Sequence, residues 1–495
     1  MPATSASVGR RSARAPLVLA IDVGSSSTRA MVFDATATAV SGASGSVRYV
    51  FETRPAGAAT LHADRLLSLI GSCTDAAIAR RGARAPEIAA VGVSVFWHSL
   101  MGLDARDRPT TPVLTWADTR ARDAARSLAG ELDRDAVHAR TGCYLHASYP
   151  PAKLRWLRDS EPGIFSRTVR WCSFAEYLGL RLTGERRCAH GMASASGMYD
   201  QARRAWDPSL LDALGLPLHA LFPISDEALA LSPSRVKRWP ALRRAAVMPG
   251  IGDGALANVG SGCVTEDRAA LSLGTSGAVR VCSAAARAPA PPGLWEYRLD
   301  ERHSVVGGAV SNGGNVIDWA RRTLRRTEAS ASPGERALEL TALPRLSGER
   351  SLSWDDRATG VIGGLRLSHT AGDISEALIL GMCLRLARVI DALVEARPSV
   401  REILASGGVL RTRRDLAQVI ADAVGRPIAI AVETEASARG AALVALARIG
   451  ARASLEAPVR IARRLRPVAE RGERYRELGR RQDRLEDALR GARLV

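Results

Sequence analysis

Residues 17–33 read Leu17-Val-Leu-Ala-Ile-Asp-Val-Gly-Ser-Ser-Ser-Thr-Arg-Ala-Met-Val-Phe33. The apolar run Leu17 to Ile21, stopped by Asp22, predicts a buried strand, and Arg29 to Phe33 predicts a second. Between them lies Asp22-Val-Gly-Ser-Ser-Ser-Thr28, where Gly24 allows a close bend and short hydroxyl residues suit a tight turn. The same strand, turn, strand unit recurs in the second half. There Ala269-Ala-Leu-Ser-Leu273 is followed by Gly274-Thr-Ser-Gly277 and then by Ala278-Val-Arg-Val-Cys282. One such hairpin in each half predicts two lobes of similar construction; chance similarity of two hairpins is the competing reading.

Outward from these hairpins, helical patterns stand near 62–82, Ile88 to Val95 reads as another buried strand, and 114–136 and 150–185 read as mainly helical. Residues 375–397 form an apolar helix, Glu402-Ile-Leu-Ala405 a short strand, and 433–449 a further helix. The tail places Tyr475, Leu478, Leu485 and Leu489 at nearly helical spacing among charges, as in a docked surface helix. Arg-rich helical sequence gives way to Val247-Met-Pro-Gly-Ile-Gly252, so the lobe boundary is expected near 245–250. The expected organisation is a flexible extension over 1–16, lobes over 17–247 and 248–456, and a basic helical tail over 457–495. The Arg/Ser-rich start reads as a frayed terminus, with a transit peptide as the alternative.

With 495 residues, 46% hydrophobic and 24% charged, the composition is that of a globular chain and excludes a fibrous or disordered one. The net charge of +18 comes almost entirely from arginine, since Lys153 and Lys237 are the only lysines. Arginine is spread along the chain and aromatics are only 4%, which argues against a nucleic-acid stripe with stacking residues. A positive field that attracts anionic ligands is the milder consequence. The 7 cysteines show no Cys-x-x-Cys, so neither a disulfide framework nor a zinc site is expected, and a reducing, cytoplasmic compartment is the simplest setting. No run is long enough for a membrane helix.

Several motifs bear on chemistry. In the first turn the amides and hydroxyls of Gly24, Ser25, Ser26, Ser27 and Thr28 can face one anion, and a strand-end carboxylate such as Asp22 can hold Mg²⁺ through water. An ordinary hairpin turn is the competing reading, and no Gly-Lys-Ser/Thr is present to make a Walker loop. Gly274, Thr275 and Ser276 offer a second phosphate grip. Gly250-Ile-Gly-Asp-Gly-Ala255 sets Asp253 between glycines at the start of a helical run, either as a helix cap or as a carboxylate base on a cleft floor. Phe96-Trp-His98 and Trp116-Ala-Asp-Thr-Arg120 supply polar groups after strands, as a polyhydroxy substrate requires. Ser406-Gly-Gly408 is a simple turn or a place where a flat ring approaches the backbone.

Together these residues resemble the FGGY family of carbohydrate kinases, and within it the gluconokinases, collinearly over roughly residues 17–450. The resemblance runs through Asp22 to Thr28, His98-Ser-Leu-Met101, Thr115 to Arg120, Asp253 to Ser261 and Ser272 to Val279. It continues through Gly307-Gly-Ala-Val-Ser-Asn-Gly-Gly-Asn315, Leu346-Ser-Gly-Glu-Arg350 and Ser406 to Gly408. It implies an α/β chain with the two-lobed actin-like ATPase (ribonuclease H-like) fold, sugar and MgATP in the cleft, and γ-phosphate transfer to a sugar hydroxyl. By resemblance Asp253 is the catalytic base, and Asp22 with Asp253 faces Mg²⁺. The turns Gly24–Thr28 and Gly274–Ser276 hold phosphates. Gly314, Asp318, Gly407, Gly408 and Thr412 line the nucleotide, and Trp97, His98, Asp118 and Arg120 lie at the sugar. Two departures fall at the cleft periphery: Cys188-Ala-His-Gly191, where the family often has an Asp, and Pro344-Arg-Leu346, where Pro-Tyr-Leu is usual.

The expected reaction is therefore ATP-dependent phosphorylation of D-gluconate to 6-phosphogluconate. A kinase for another carbohydrate such as xylulose, or an actin-like ATPase without a sugar, are the alternatives. Gluconate carries a carboxylate, for which Arg120 or Lys153 is the expected partner; the competing reading is that Arg120 pairs with a nearby acid and Lys153 is a solvated helix residue. The partners expected are ATP, Mg²⁺ and a small sugar or sugar acid, not nucleic acid or a membrane, and a homodimer is allowed.

Overall fold

The structure, a computed structural model, describes residues 7–284, 289–324, 333–407, 409–410 and 413–492. The first sheet contains β1 (Leu17–Val23), β2 (Ser27–Phe33), β3 (Ala39–Arg48), β4 (Ile88–Val95) and β5 (Ala246–Val247), in the order β3-β2-β1-β4-β5. β1, β2 and β3 form an antiparallel meander, and β4 runs parallel beside β1, which places Ser94 next to Asp22. β6 (Ile251–Gly252) also pairs with β4 and leads directly into helix α3. β1 is buried at every position because both sheet faces are covered. α1 (Ala63–Arg81) lies over one face, and Gly45 of β3 permits it: an added Cβ there would stand 2.6 Å from the Cys73 carbonyl oxygen. α2 (Pro150–Ser160) starts on two prolines, whose missing N–H groups cost nothing in a first helical turn. α3 spans Asp253–Gly260.

The second sheet repeats the plan. Its strands are β7 (Arg268–Leu273), β8 (Gly277–Ser283), β9 (Trp295–Arg298), β10 (Ser304–Val310), β11 (Glu402–Ser406), β12 (Ile428–Ala431) and β13 (Ile461–Leu465). The order is β9-β10-β8-β7-β11-β12-β13, so β10-β8-β7-β11-β12 matches the first sheet strand for strand. α4 (Gly314–Thr323), α5 (Ala371–Ala396), α6 (Arg414–Val424) and α8 (Ala469–Gly491) pack on this sheet or on each other, around a second core. α5 begins with a reciprocal cap between Thr370 and Asp373.

α7 (Ala436–Arg448) belongs by sequence to the second half but packs on the first sheet. Its alanines and glycines permit close approach: a Cβ on Gly440 would overlap the Leu256 carbonyl of α3, and one on Gly92 of β4 would overlap that of Ala441. α3 and α7 therefore cross between the lobes.

Both ends differ from the expectation of a frayed start and a helical tail. Ser7–Val8 pairs in parallel with Ala39–Val40, and Arg84 donates to the carbonyls of Arg11 at 3.0 Å and Ala13 at 2.9 Å. At the other end the tail contributes β13, antiparallel to β12, before α8 begins. The seven cysteines are free and buried. Among the described residues no helix is long and apolar enough to cross a membrane.

Candidate active site

The two hairpin turns stand at equivalent places, one after β1 and one after β7. In the first, Gly24 N–H donates to Ser27 O at 3.0 Å, closing the turn. Thr28 is buried and its hydroxyl donates to Asp22 O at 3.2 Å, so it braces the turn from inside. Ser27 Oγ accepts from Arg29 at 3.0 Å, Ser25 Oγ accepts from Trp116 Nε1 at 3.0 Å, and Ser26 is exposed. A Cβ added at Gly24 would meet nothing closer than Ser27 O at 3.6 Å, so the space over this glycine is open. In the second turn Gly274 N–H donates to Ser276 O at 2.9 Å, with Gly274 and Thr275 exposed. The start of α4 leans on it: Gly314 N–H donates to Gly274 O at 2.7 Å and Gly313 N–H to Thr275 O at 3.2 Å. Asp318 is exposed on α4, and Gly407 follows β11 with φ +100°, where an added Cβ would stand 2.9 Å from Leu273 O. Gly408 and Thr412 lie outside the described residues.

Two carboxylates face each other across the cleft floor. Asp22 ends β1, accepts from Ser94 Oγ at 2.7 Å and lies 3.5 Å from Arg29 Nε. Burial raises its pKa, against the Ser94 hydrogen bond and the charge of Arg29. Asp253 opens α3, one residue inside the cap position, which Gly252 occupies, and its Oδ1 accepts from Gly254 N–H at 2.8 Å. Part of its surface is open to the cleft, but it lies deep among protein atoms. Burial, then the charge of Asp22, push its carboxyl up to about 7, while Arg280 and the Gly254 amide oppose the shift. A carboxylate poised there can take a proton from a sugar hydroxyl at neutral pH.

The glycines beside Asp253 have a tertiary reason. The Trp97 indole lies across them, so a Cβ on Gly252 would overlap its Nε1 and one on Gly254 its six-membered ring. Trp97 Nε1 donates to Gly191 O at 3.1 Å. His98 follows with φ +60°, and its Nδ1 lies 2.8 Å from Ala195 O. Burial lowers its pKa to about 3, the Ala195 carbonyl opposing and Lys153, Arg350 and His146 adding to the effect. The ring is therefore neutral, the Nδ1 proton goes to the carbonyl, and Nε2 is left as an acceptor 3.5 Å from the Tyr297 hydroxyl.

These side chains line a cavity of about 100 Å³ with Tyr149, Ser272, Ser276, Trp295, Tyr297, Arg280, Arg350 and Trp354. Trp295 and Tyr297 stack at 4.0 Å between ring centres. Two cations reach it. Arg280 on β8 donates to Ser272 Oγ at 3.4 Å, and its buried Nε has no hydrogen-bond partner. Burial lowers its pKa to about 10, partly offset by Asp253. Arg350 donates to Val310 O at 3.0 Å and lies over Trp116 at 5.7 Å, the residue that also holds Ser25.

Arg120 and Asp118 are absorbed by each other. Arg120 Nη2 donates to Asp118 at 2.6 Å and its guanidinium lies 4.5 Å over Trp156, while Asp118 also accepts from Ala59 N–H at 3.2 Å. Neither lines the cavity. Lys153 is fully buried on α2, where Nζ donates to His98 O at 2.6 Å and Ser148 O at 2.7 Å. Burial lowers its pKa to about 7, partly opposed by Asp118.

Comparison with known proteins matches the N-terminal domain of the FGGY family of carbohydrate kinases to residues 17–260 and the C-terminal domain to residues 269–449. The chain belongs to the FGGY family of carbohydrate kinases. It is 27% identical over 458 residues to a gluconokinase of Bacillus subtilis, covering 88% of each chain. It is 31% identical over 479 residues to a xylulose kinase of Streptomyces rubiginosus, covering 94% of this chain and 95% of that one. The crystal structure of a gluconate kinase from Lactobacillus acidophilus superposes with a TM-score of 0.87 at 26% identity, covering 96% and 98%.

As an FGGY kinase the chain has the two-lobed actin-like fold that the resemblance implied, with the two similar lobes expected from its hairpins. The structure brings together Asp22, the two turns, Asp253, Trp97 and His98. It leaves Asp118, Arg120 and Lys153 in hydrogen bonds that brace the first lobe. Sequence reasoning gave no role to Arg280 and Arg350, although both stood inside quoted motifs. A signal for Arg280 was present: β8 alternation puts Ala278 and Arg280 on one face, and both line the cavity.

Proposed function

We propose that this FGGY kinase transfers the γ-phosphoryl group of ATP to a hydroxyl of D-gluconate, forming 6-phosphogluconate. One observation carries the choice of a sugar acid. The small aromatic and hydroxyl-lined cavity beside Asp253 holds two arginines, and one has a buried, unpartnered Nε. A buried guanidinium N–H left without an acceptor is costly, and a substrate carboxylate would supply one. The neutral His98 Nε2 and the hydroxyls of Ser148, Tyr149 and Tyr297 suit the polyol chain. Asp253 accepts the proton of the attacking hydroxyl, and the turns Gly24–Thr28 and Gly274–Ser276 hold the phosphates in line. Gly314, Asp318 and Gly407, close to the second turn, fit the nucleotide side.

Asp22 and Asp253 fit a Mg²⁺ site of the kind that uses one or two carboxylates, water and substrate phosphates, since both are buried and the charge of Asp22 burdens Asp253. Bound with the nucleotide, Mg²⁺ supplies neutralisation of phosphate charge. Seven buried free thiols suit a cytoplasmic setting.

Xylulose is the second reading, favoured by the identity to xylulose kinases. ADP release with a panel of acceptors separates the two. Gluconate should exceed xylulose, ribulose and glycerol in kcat/KM by at least about tenfold, roughly 1.4 kcal/mol in transition-state binding. Preference for a neutral ketose or for glycerol would sink the gluconate assignment and leave the kinase intact.

A further inference from the structure

Residues 344–356 carry two of the cavity residues, Arg350 and Trp354. Asn312 clamps the segment from outside: its Nδ2 donates to Gly348 O at 2.7 Å and its Oδ1 accepts from Ser347 N–H at 3.1 Å. Glu349, the residue next to Arg350, is 4% exposed and absent from the cavity wall. Its Oε1 accepts from Arg385 of α5, from Nε at 2.9 Å and from Nη2 at 2.7 Å. Arg385 Nη1 donates in turn to Glu486 of α8 at 2.9 Å. Arg345 lies 3.1 Å from Glu349 and pairs with Glu486 as well, through distance rather than aligned N–H bonds. Two arginines and two glutamates thus form the buried centre of this cluster, with Asp483 4.0 Å from Arg385 and Arg490 2.6 Å from Glu486 at its edge. One turn before Glu486, Gln482 donates to Ala342 O at 2.6 Å, fixing the chain just ahead of the segment.

α8 begins beyond residue 449, where the match to the C-terminal FGGY domain ends. Nothing in phosphoryl transfer requires such a helix, yet its buried face ends in a charge that is two ion pairs away from a cavity arginine.

We infer that α8 positions the acceptor site: Glu486, through Arg385 and Arg345, holds Glu349 in the protein interior and thereby sets Arg350 against the cavity. This rests on reading the cavity as the acceptor site. Neutralising Glu486 leaves Arg385 and Arg345 sharing the buried carboxylate of Glu349, with the partly exposed Asp483 at 4.0 Å from Arg385 alone, and a buried cation short of its partner is strongly unfavourable. The segment relieves this by carrying Arg345 or Glu349 toward water, and Arg350 moves with it. Glu486 is a positioning residue, since it touches neither substrate nor reacting atoms.

The test uses the full chain with D-gluconate and ATP as substrates, D-xylulose run in parallel, and the variants Glu486→Gln, Glu486→Ala, Arg350→Ala and Glu486→Gln with Arg350→Ala. In Glu486→Gln, which keeps the side-chain shape, the acceptor KM should rise about tenfold while the ATP KM stays within about twofold. The double variant should be no worse than Arg350→Ala alone within about twofold, because both changes act through one group. A helix that only stabilises the lobe would lower Tm, affect both substrates alike and add to Arg350→Ala; that pattern overturns the inference. So does an unchanged acceptor KM in folded Glu486→Gln while Arg350→Ala raises it. If both Glu486 variants fail to fold, Arg345→Gln, which unbalances the same cluster from the segment itself, must show the same selective rise or the inference falls. An unchanged acceptor KM in Arg350→Ala would instead remove the cavity reading, and the positioning role with it.

Discussion

The role proposed for Asp253 carries a stability cost. Its pKa of about 7 means that the base-competent carboxylate is lost as pH falls below 7. The acid limb of kcat/KM should therefore fall about tenfold per pH unit below about 7 in the free enzyme. The sign for stability is opposite. The folded pKa lies above the unfolded value, so the native state binds the extra proton between about 4 and 7, and this residue's contribution declines as pH rises through that window. Asp253→Asn should accordingly cost about 10²–10⁴-fold in turnover. At pH 8 the same variant should melt higher by roughly 2 °C, because a buried charge has been removed. Acceptor turnover and thermal melts at pH 5.5 and 8 check both halves. Near-normal turnover would reduce Asp253 to a helix-start residue.

The first hairpin is the element on which the proposed phosphate binding rests. β1 and β2 are held in register from Val18 opposite Phe33 to Val23 opposite Thr28, so the turn between them projects as a rigid tip. Thr28 and Tyr49 bond its backbone from within, which leaves the open side at Gly24 for an anion. Gly24→Val should fold, since its Cβ has room, but its methyl groups would occupy the phosphate approach. ATP affinity should weaken by at least about tenfold, roughly 1.4 kcal/mol, with acceptor binding retained. Calorimetric titration with ATP and with gluconate reads the two separately, and parental ATP affinity in the folded variant would show that the turn holds no phosphate. Elements differed in how visible they were before folding. β1, β4 and β7 announce themselves as apolar runs. β3, Ala39-Val-Ser-Gly-Ala-Ser-Gly-Ser-Val-Arg48, shows little apolar alternation, and becomes a strand because β2 offers it a partner.

At the scale of the molecule, the two lobes meet through α3 and α7, whose crossing is tight enough to need Gly260 and Gly440. Arg29 of the first lobe pairs with Glu435 at the start of α7, and Ser437 Oγ donates to the Asp253 carbonyl at 3.3 Å. If the lobes close on the acceptor, closure would exclude the water that competes with it. Small-angle scattering should show a radius of gyration near about 23 Å, the size expected for a compact chain of this length, that decreases when acceptor is added. Identical curves at confirmed saturation would count against closure.

What the sequence by itself determined is the local grammar: two Gly/hydroxyl hairpins, the glycine-flanked Asp253, the order of motifs that marks the family, and buried thiols in place of disulfides. These are legible because turn chemistry and strand hydrophobicity act over a few neighbouring residues. Tertiary structure decided which cations serve the cavity. Arg120 and Lys153 looked as suitable as any, but Arg120 finds Asp118 two residues away and Lys153 finds two carbonyls. Arg280 and Arg350 are brought to the cavity by β8 and by a segment pinned from α5 and α8. In a chain with so many arginines each has the same chemistry, and only the folded neighbourhood settles which guanidinium is already paired and which is left facing a substrate.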